Sequence, residues 1–132
     1  MRKNPVIAKY KSSYRRVDAR GEFVEYFNNT QSWKSINGGS MKKGAVMGNH
    51  YHKKNLALFI VISGSVKIVA YDVREKRPQL QGVVLKASEG AVIYPFATHA
   101  VKFLEPSTFL FLKSKKYSEG NKDLFPTKHL ID

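Results

Sequence analysis

The chain contains no cysteine. Disulfide staples and thiolate chemistry are thereby excluded, and a reducing compartment such as the cytoplasm is the expected setting. Long apolar runs are missing too: nothing approaches the roughly 20 residues of a membrane-spanning helix, and Met1-Arg2-Lys3-Asn4-Pro5 leads into no apolar segment of the export type. A soluble, unexported protein with no membrane partner is the expectation. Acidic residues are scarce, 10 Asp and Glu against 23 Lys and Arg, which leaves a net charge of +13. Such an excess suits an anionic partner. The cations are spread along the chain in pairs such as Arg15-Arg16, Lys42-Lys43, Lys53-Lys54 and Lys115-Lys116, with neither a basic block nor a recognition motif. The anion expected is therefore a small molecule and not a nucleic acid, and most of the cations are read as solvated surface.

What is present is a succession of short β-prone runs. At 132 residues the chain has the length of one domain with one modest core. Strands are expected at 6–10, 22–27, 45–52, 56–62, 66–73, 83–86, 92–94, 100–104 and 108–112. The polar segment 28–42, with Asn37-Gly38-Gly39-Ser40, reads as a loop, 74–81 as a charged hairpin tip, and Ser88-Glu89-Gly90 and Glu105-Pro106-Ser107 as turns. Residues 56–62, Ser63-Gly64-Ser65 and 66–73 together read as one hairpin. From Tyr117 onward glycine, proline and charge predict a short helical or irregular tail, in which His129 has no assigned role. Short strands between turn signals favour an all-β sandwich or barrel. Phe59, Ile60, Val61, Ile62, Phe103, Phe109 and Phe111 are the expected core, and Trp33 is read as pinning a polar loop to it.

Two histidines flank Tyr51 in the spacing Gly44-x5-His50-Tyr51-His52-x11-Gly64. Residues i and i+2 of a strand share a face, so the two imidazoles project together while Tyr51 points away. A third, His99, follows Pro95-Phe96-Ala97-Thr98. Imidazole titrates near neutrality, so such a cluster can move protons. Three imidazoles can alternatively hold a divalent transition metal with positions left open for substrate.

These motifs resemble those of the cupins, small antiparallel jelly-roll β-barrels whose two motifs bring such histidines to the barrel mouth. The resemblance implies a single cupin domain over 1–132, with a barrel core at about 43–114, N-terminal strands at 5–27 and a tail at 115–132. Many metal-binding cupins carry a glutamate five residues after the second histidine. Ala57 stands there, which implies a site lacking the carboxylate ligand. Gly48-Asn49-His50-Tyr51-His52-Lys53 is similar to the Gly-x-His-x-His-(Lys/Arg) segment of the sugar-nucleotide 3,4-ketoisomerases and of the cupin domains of capsule and polysaccharide synthesis. Asp18-Ala19-Arg20-Gly21-Glu22-Phe23-Val24-Glu25 resembles a segment of the dTDP-sugar 3,5-epimerases in which the arginine and phenylalanine help hold the nucleotide. Two departures stand out. Met47 replaces the arginine usual before the glycine, and Leu112 stands where the epimerases carry a catalytic tyrosine before a lysine.

The resemblance implies an isomerase or epimerase-like enzyme that acts on a nucleotide-linked 4-keto-6-deoxy sugar in polysaccharide or deoxysugar biosynthesis, by histidine acid–base proton transfer and without a cofactor. His50 is the expected base, His52 its partner or the returning acid, and His99 orients the pair or binds a substrate oxygen. Arg20, Phe23, Lys43, Asn49 and Tyr94 are the expected substrate contacts. Two alternatives carry different chemistry: a cupin that binds a small molecule without catalysis, and a metal enzyme such as a dioxygenase with a divalent transition metal on His50, His52 and His99. A homodimer is expected, paired through the segment 6–10, which suits an edge strand.

Overall fold

A computed structural model of the chain describes residues 4–29, 31–116, 118, 120, 122–128, 130 and 131; Met1 to Lys3, Tyr117 and His129 lie outside them. The strands are β1 (Ile7–Lys11), β2 (Tyr14–Asp18), β3 (Gly21–Glu25), β4 (Ser35–Met41), β5 (Val46–Tyr51), β6 (Ala57–Ser63), β7 (Ser65–Asp72), β8 (Gln81–Lys86), β9 (Glu89–Ile93), β10 (Ala97–Phe103), β11 (Ser107–Lys113) and β12 (Phe125–Pro126). Two five-stranded antiparallel sheets, ordered β1-β9-β6-β11-β4 and β12-β5-β10-β7-β8, pack face to face, and β2 and β3 form a separate hairpin. This is the jelly-roll arrangement that the histidine motifs implied, with β1 on a sheet edge as expected.

The core lies between the sheets. Phe59 and Val61 of β6, Ile68 and Ala70 of β7, Val101 and Phe103 of β10 and Phe109 of β11 form one buried cluster. Each of these pairs is spaced by two residues, the strand period that carries a side chain to the same face. Ile62 is the exception among the expected core residues, standing 38% exposed near the end of β6.

Four local expectations are corrected. Residues 56–73 are not a hairpin: β6 belongs to one sheet and β7 to the other, so the chain crosses between sheets at Ser63-Gly64. The loop expected at 28–42 contains β4, which pairs along its whole length with β11. Asn and Gly have low strand propensity, but a Cβ at Gly38 would meet Leu110 Cδ2 and the Phe109 carbonyl at 2.9 Å. Glycine is what permits the two backbones to come so close. A further strand, β2, was not expected at all, and its partner β3 is shorter than the 22–27 run. Finally, the turn expected at Ser88-Glu89-Gly90 is shorter, since Glu89 and Gly90 already belong to β9. The tail is irregular, one of the two forms expected, with no helix among the described residues, and β12 adds a two-residue strand to β5.

Trp33 does pin its segment: it meets Phe27 edge-on at 6.1 Å, and Phe27 meets Tyr10 of β1 at 5.0 Å.

Candidate active site

The histidines are placed by an irregularity in β5. In the pairing of β10 with β5, His99 lies opposite His50 and Ala100 opposite Gly48, so Asn49 is an extra, unpaired residue. Gly48 (φ 104°) and Asn49 (φ 62°) both take left-handed backbone angles. This is a β-bulge, and its effect is to reverse the facing of everything after it. Met47 lines the space between the sheets. Unbroken alternation would send His50 to the opposite face, whereas the bulge brings it back to the inner one. Glycine is required at 48 for a second reason, because a Cβ there would stand 2.6 Å from the His99 carbonyl oxygen.

Three rings converge as a result. Ring centroids are 5.1 Å apart for His50 and His52, 4.9 Å for His50 and His99, and 5.6 Å for His52 and His99. Behind them, on the outer face, Tyr51 stacks between Phe96 and Phe125, and the ends of that stack are covered by Arg74 over Phe96 and Lys53 over Phe125, each at 4.3 Å. Tyr51 therefore points outward as expected, and it holds the strand from behind.

Beside the rings is a cavity of about 290 Å3. One wall carries Met47, His50, His99 and Val101; the facing wall carries Phe59, Phe109, Phe111 and Lys113, with Gly38 of β4 beside them and Leu124 of the tail on the lining. Lys113 was not among the expected site residues. Its signal was legible all the same, because Phe109, Phe111 and Lys113 share one face of β11 by strand period. Leu112, which the resemblance to the epimerases set in the place of a catalytic tyrosine, lies on the other face and does not line the cavity.

Electrostatics separate the groups. Burial, reinforced by the charge of His52 and of Lys113, pushes His50 down to about 4. Burial pushes His99 down to about 3, and lowers His52 as well. At neutral pH all three are neutral imidazoles. Burial also lowers Lys113, and among the described residues no carboxylate lies within ion-pairing distance of it. It is a desolvated cation facing an apolar space.

The ring protons can be assigned from hydrogen bonding. A carbonyl oxygen only accepts, so His52 Nδ1–H donates to the Asp123 carbonyl at 2.6 Å and His99 Nδ1–H donates to the Ala97 carbonyl at 3.0 Å. Each Nε2 is then a lone pair. The Nε2 of His52 is buried without a hydrogen-bond partner among the described residues. One nitrogen from each ring lies within 4.8 Å of the others. Three converging ring nitrogens, with His52 and His99 each backed by a carbonyl on Nδ1, are a donor set that fits a divalent transition metal. Two features oppose it: among the described residues no carboxylate joins the three rings, and Ala57, buried where the glutamate would stand, pairs across the sheet with cationic Lys113.

Of the expected substrate contacts, none lines this cavity. Asn49 is turned to the tail, its Oδ1 accepting from the Leu130 amide and its carbonyl from the Thr127 amide. Lys43 is exposed in the turn before β5, at the end of that strand away from His50. Tyr94 is half-buried in the segment between β9 and β10. Arg20 and Phe23 are on the β2–β3 hairpin, where Arg20 is bound to Asp18 at 2.8 Å and Phe23 packs against Tyr14 and under Arg16. Only the histidines, of all the residues nominated from sequence, come together.

The family model for the polysaccharide biosynthesis C-terminal domain matches residues 16–125. The chain belongs to that family. Solved structures that share the fold include dTDP-6-deoxy-D-glucose-3,5-epimerase RmlC from Legionella pneumophila in complex with dTDP-4-keto-L-rhamnose (TM-score 0.78, 23% identity, 94% of this chain and 73% of that one); the Mycobacterium tuberculosis rmlC epimerase (0.75, 22%, 88% and 66%); and the capsular polysaccharide assembling protein CapF from Staphylococcus aureus (0.67, 21%, 96% and 34%). The chain thus spans about two thirds of the mycobacterial epimerase and a third of CapF. At these identities the likeness is one of fold. No curated protein matches the sequence.

Proposed function

We propose that this family member is a sugar-nucleotide isomerase or epimerase-like cupin that moves a proton beside the ketone of a nucleotide-linked 4-keto-6-deoxy sugar in polysaccharide or deoxysugar biosynthesis. The observation that carries this reading is the cavity with neutral His50 on one wall and cationic Lys113 on the other, in a fold shared with an epimerase bound to dTDP-4-keto-L-rhamnose. A neutral imidazole can accept the proton from the carbon next to the ketone. The electron pair then shifts onto the keto oxygen, and an ammonium in an apolar space stabilises that developing charge strongly. Negative charge arriving in the cavity also raises the affinity of His50 for the proton in the same step. Lys113 further supplies the wall facing His50 with a proton-bearing group, which the missing tyrosine had left in question.

The site residues on the hairpin fit this reading through a homodimer, in which Arg20 and Phe23 of one chain reach the cavity of its partner. Light scattering at micromolar concentration tests it, and a monomer would remove both residues from the substrate contacts.

For the chemistry itself, the full chain is titrated with dTDP and UDP by calorimetry and incubated with a 4-keto-sugar nucleotide in deuterated water. Deuterium should enter the carbon beside the ketone, and His50→Asn should cut that exchange by about 100- to 10,000-fold with nucleotide affinity within a few-fold. Failure of every nucleotide to bind would favour the non-catalytic alternative. A second reading is favoured by the three converging ring nitrogens: His50, His52 and His99 would hold a divalent metal, whose chemistry is Lewis-acid polarisation of the keto oxygen. About one transition-metal ion per chain in elemental analysis of the purified protein would put that reading first, and Ala57→Glu would then tighten binding.

A further inference from the structure

The tail reaches the histidine cluster at one residue, and it does so twice. The Asp123 backbone carbonyl takes the Nδ1 proton of His52 at 2.6 Å. Its carboxylate accepts three successive backbone amides, those of Lys53, Lys54 and Asn55, at 2.8, 3.0 and 2.9 Å, and also Asn55 Nδ2 at 3.0 Å. The turn that follows His52 is therefore wrapped around one carboxylate, and that carboxylate belongs to the residue whose carbonyl holds His52. Asp123 sits at φ 49°, a left-handed backbone that Asp tolerates better than most residues. The neighbours continue the clasp: Leu124 lines the cavity and Phe125 stacks on Tyr51 at 5.3 Å.

We infer that Asp123 is a positioning residue of the site, its carboxylate locking the tail onto the 53–55 turn so that its own carbonyl fixes His52 as the Nδ1–H tautomer with the Nε2 lone pair turned toward His50 and His99. An unheld imidazole in water prefers the other tautomer and rotates freely about its side-chain bonds. In that state Nε2 would carry the proton and could not accept one or hold a cation. The consequence is that the cluster is complete only when the tail is docked, although residues 123 and 52 are far apart in sequence. This holds whichever of the two chemistries the site performs, and it does not depend on the sugar reading.

The test uses the uniformly 15N-labelled full chain at pH 7.5 and a long-range proton–nitrogen correlation spectrum of the imidazoles, which distinguishes the tautomers directly. Wild-type His52 should show a protonated Nδ1 and an unprotonated Nε2. In Asp123→Ala, with the amide signals of β7 and β10 unmoved, His52 should shift to a mixture of tautomers, while Asp123→Asn, which keeps an acceptor oxygen for the turn amides, should retain most of the wild-type pattern. Cobalt(II) titration gives a second readout on the same variants: where wild type binds the ion, Asp123→Ala should bind it about 10- to 100-fold more weakly, with Asn between. Should Asp123→Ala fail to fold, Phe125→Ala loosens the same segment from Tyr51 and should shift His52 in the same direction. The inference is overturned if wild-type His52 is the Nε2–H tautomer, or if a folded Asp123→Ala or Phe125→Ala protein keeps the wild-type imidazole signals.

Discussion

The histidine wall and the β2–β3 hairpin both carry ionisable side chains and behave in opposite ways. On the hairpin, Arg20 and Asp18 satisfy one another at 2.8 Å at the surface; that contact lowers Asp18 and raises Arg20, leaving both ionised and in reach of water. Between the sheets, burial strips water from His50, His99 and Lys113 and drives all three toward their neutral forms. A charged pair in water contributes little to stability. A desolvated base and, facing it, a cation with no ion-pair partner among the described residues have interactions that a ligand can still supply. The hairpin pairs with neither five-stranded sheet, and a lone two-stranded hairpin is marginal in water.

The largest test of this contrast is Lys113→Met, which removes the cation and keeps the volume. Proton exchange on the 4-keto-sugar nucleotide should fall by about 100- to 1,000-fold, and the His50 titration, followed by NMR, should move up because a repelling charge has gone. Unchanged exchange would return Lys113 to the role of a cavity liner.

Acid should find the histidine wall before the hairpin. Folded-state values of about 4 for His50 and about 3 for His99 lie below the 6.5 of a free imidazole. The unfolded chain therefore binds more protons in that window, so stability is complete above about pH 6.5 and falls as pH drops toward 3. The combined loss between pH 7.5 and 4 is on the order of 6 kcal/mol, about 3 kcal/mol from each ring, measurable from urea midpoints at those two pH values. A flat profile would show that the rings are solvated.

Two glycines sharpen the same comparison. Gly48→Ala adds a Cβ 2.6 Å from the His99 carbonyl at a φ of 104° and should cost about 2–3 kcal/mol. At Gly21, φ is 141° but nothing lies within 4 Å of the added carbon, so backbone strain acts alone and the loss should be about 1 kcal/mol. Equal losses in thermal melts would mean that the bulge relaxes around the substitution.

The smallest effect is expected at Arg20→Ala. Thermal stability should not change measurably, because an exposed pair contributes little, while dTDP affinity falls a few-fold if the hairpin serves a partner's cavity. A melting temperature lowered by several degrees would show that the hairpin is part of the fold's own support.

Local sequence determined the all-β class and the shared direction of His50 and His52, since both follow from short β-prone runs and from alternation along a strand. The motif resemblance supplied the meeting with His99, which no local rule contains. Tertiary structure decided the rest. It made a strand of 35–41 because β11 offers a partner so close that only glycine fits. It split 56–73 between two sheets, since Gly64 turns the chain across the sandwich and does not fold it back upon itself. The bulge at Gly48-Asn49 turned His50 inward, Lys113 was desolvated by facing it, and Asp123, 71 positions from His52, came to hold the ring. Alternation is a property of a single strand and is written in its sequence, whereas desolvation and the pairing of distant residues arise only when two sheets and a tail close on the same space.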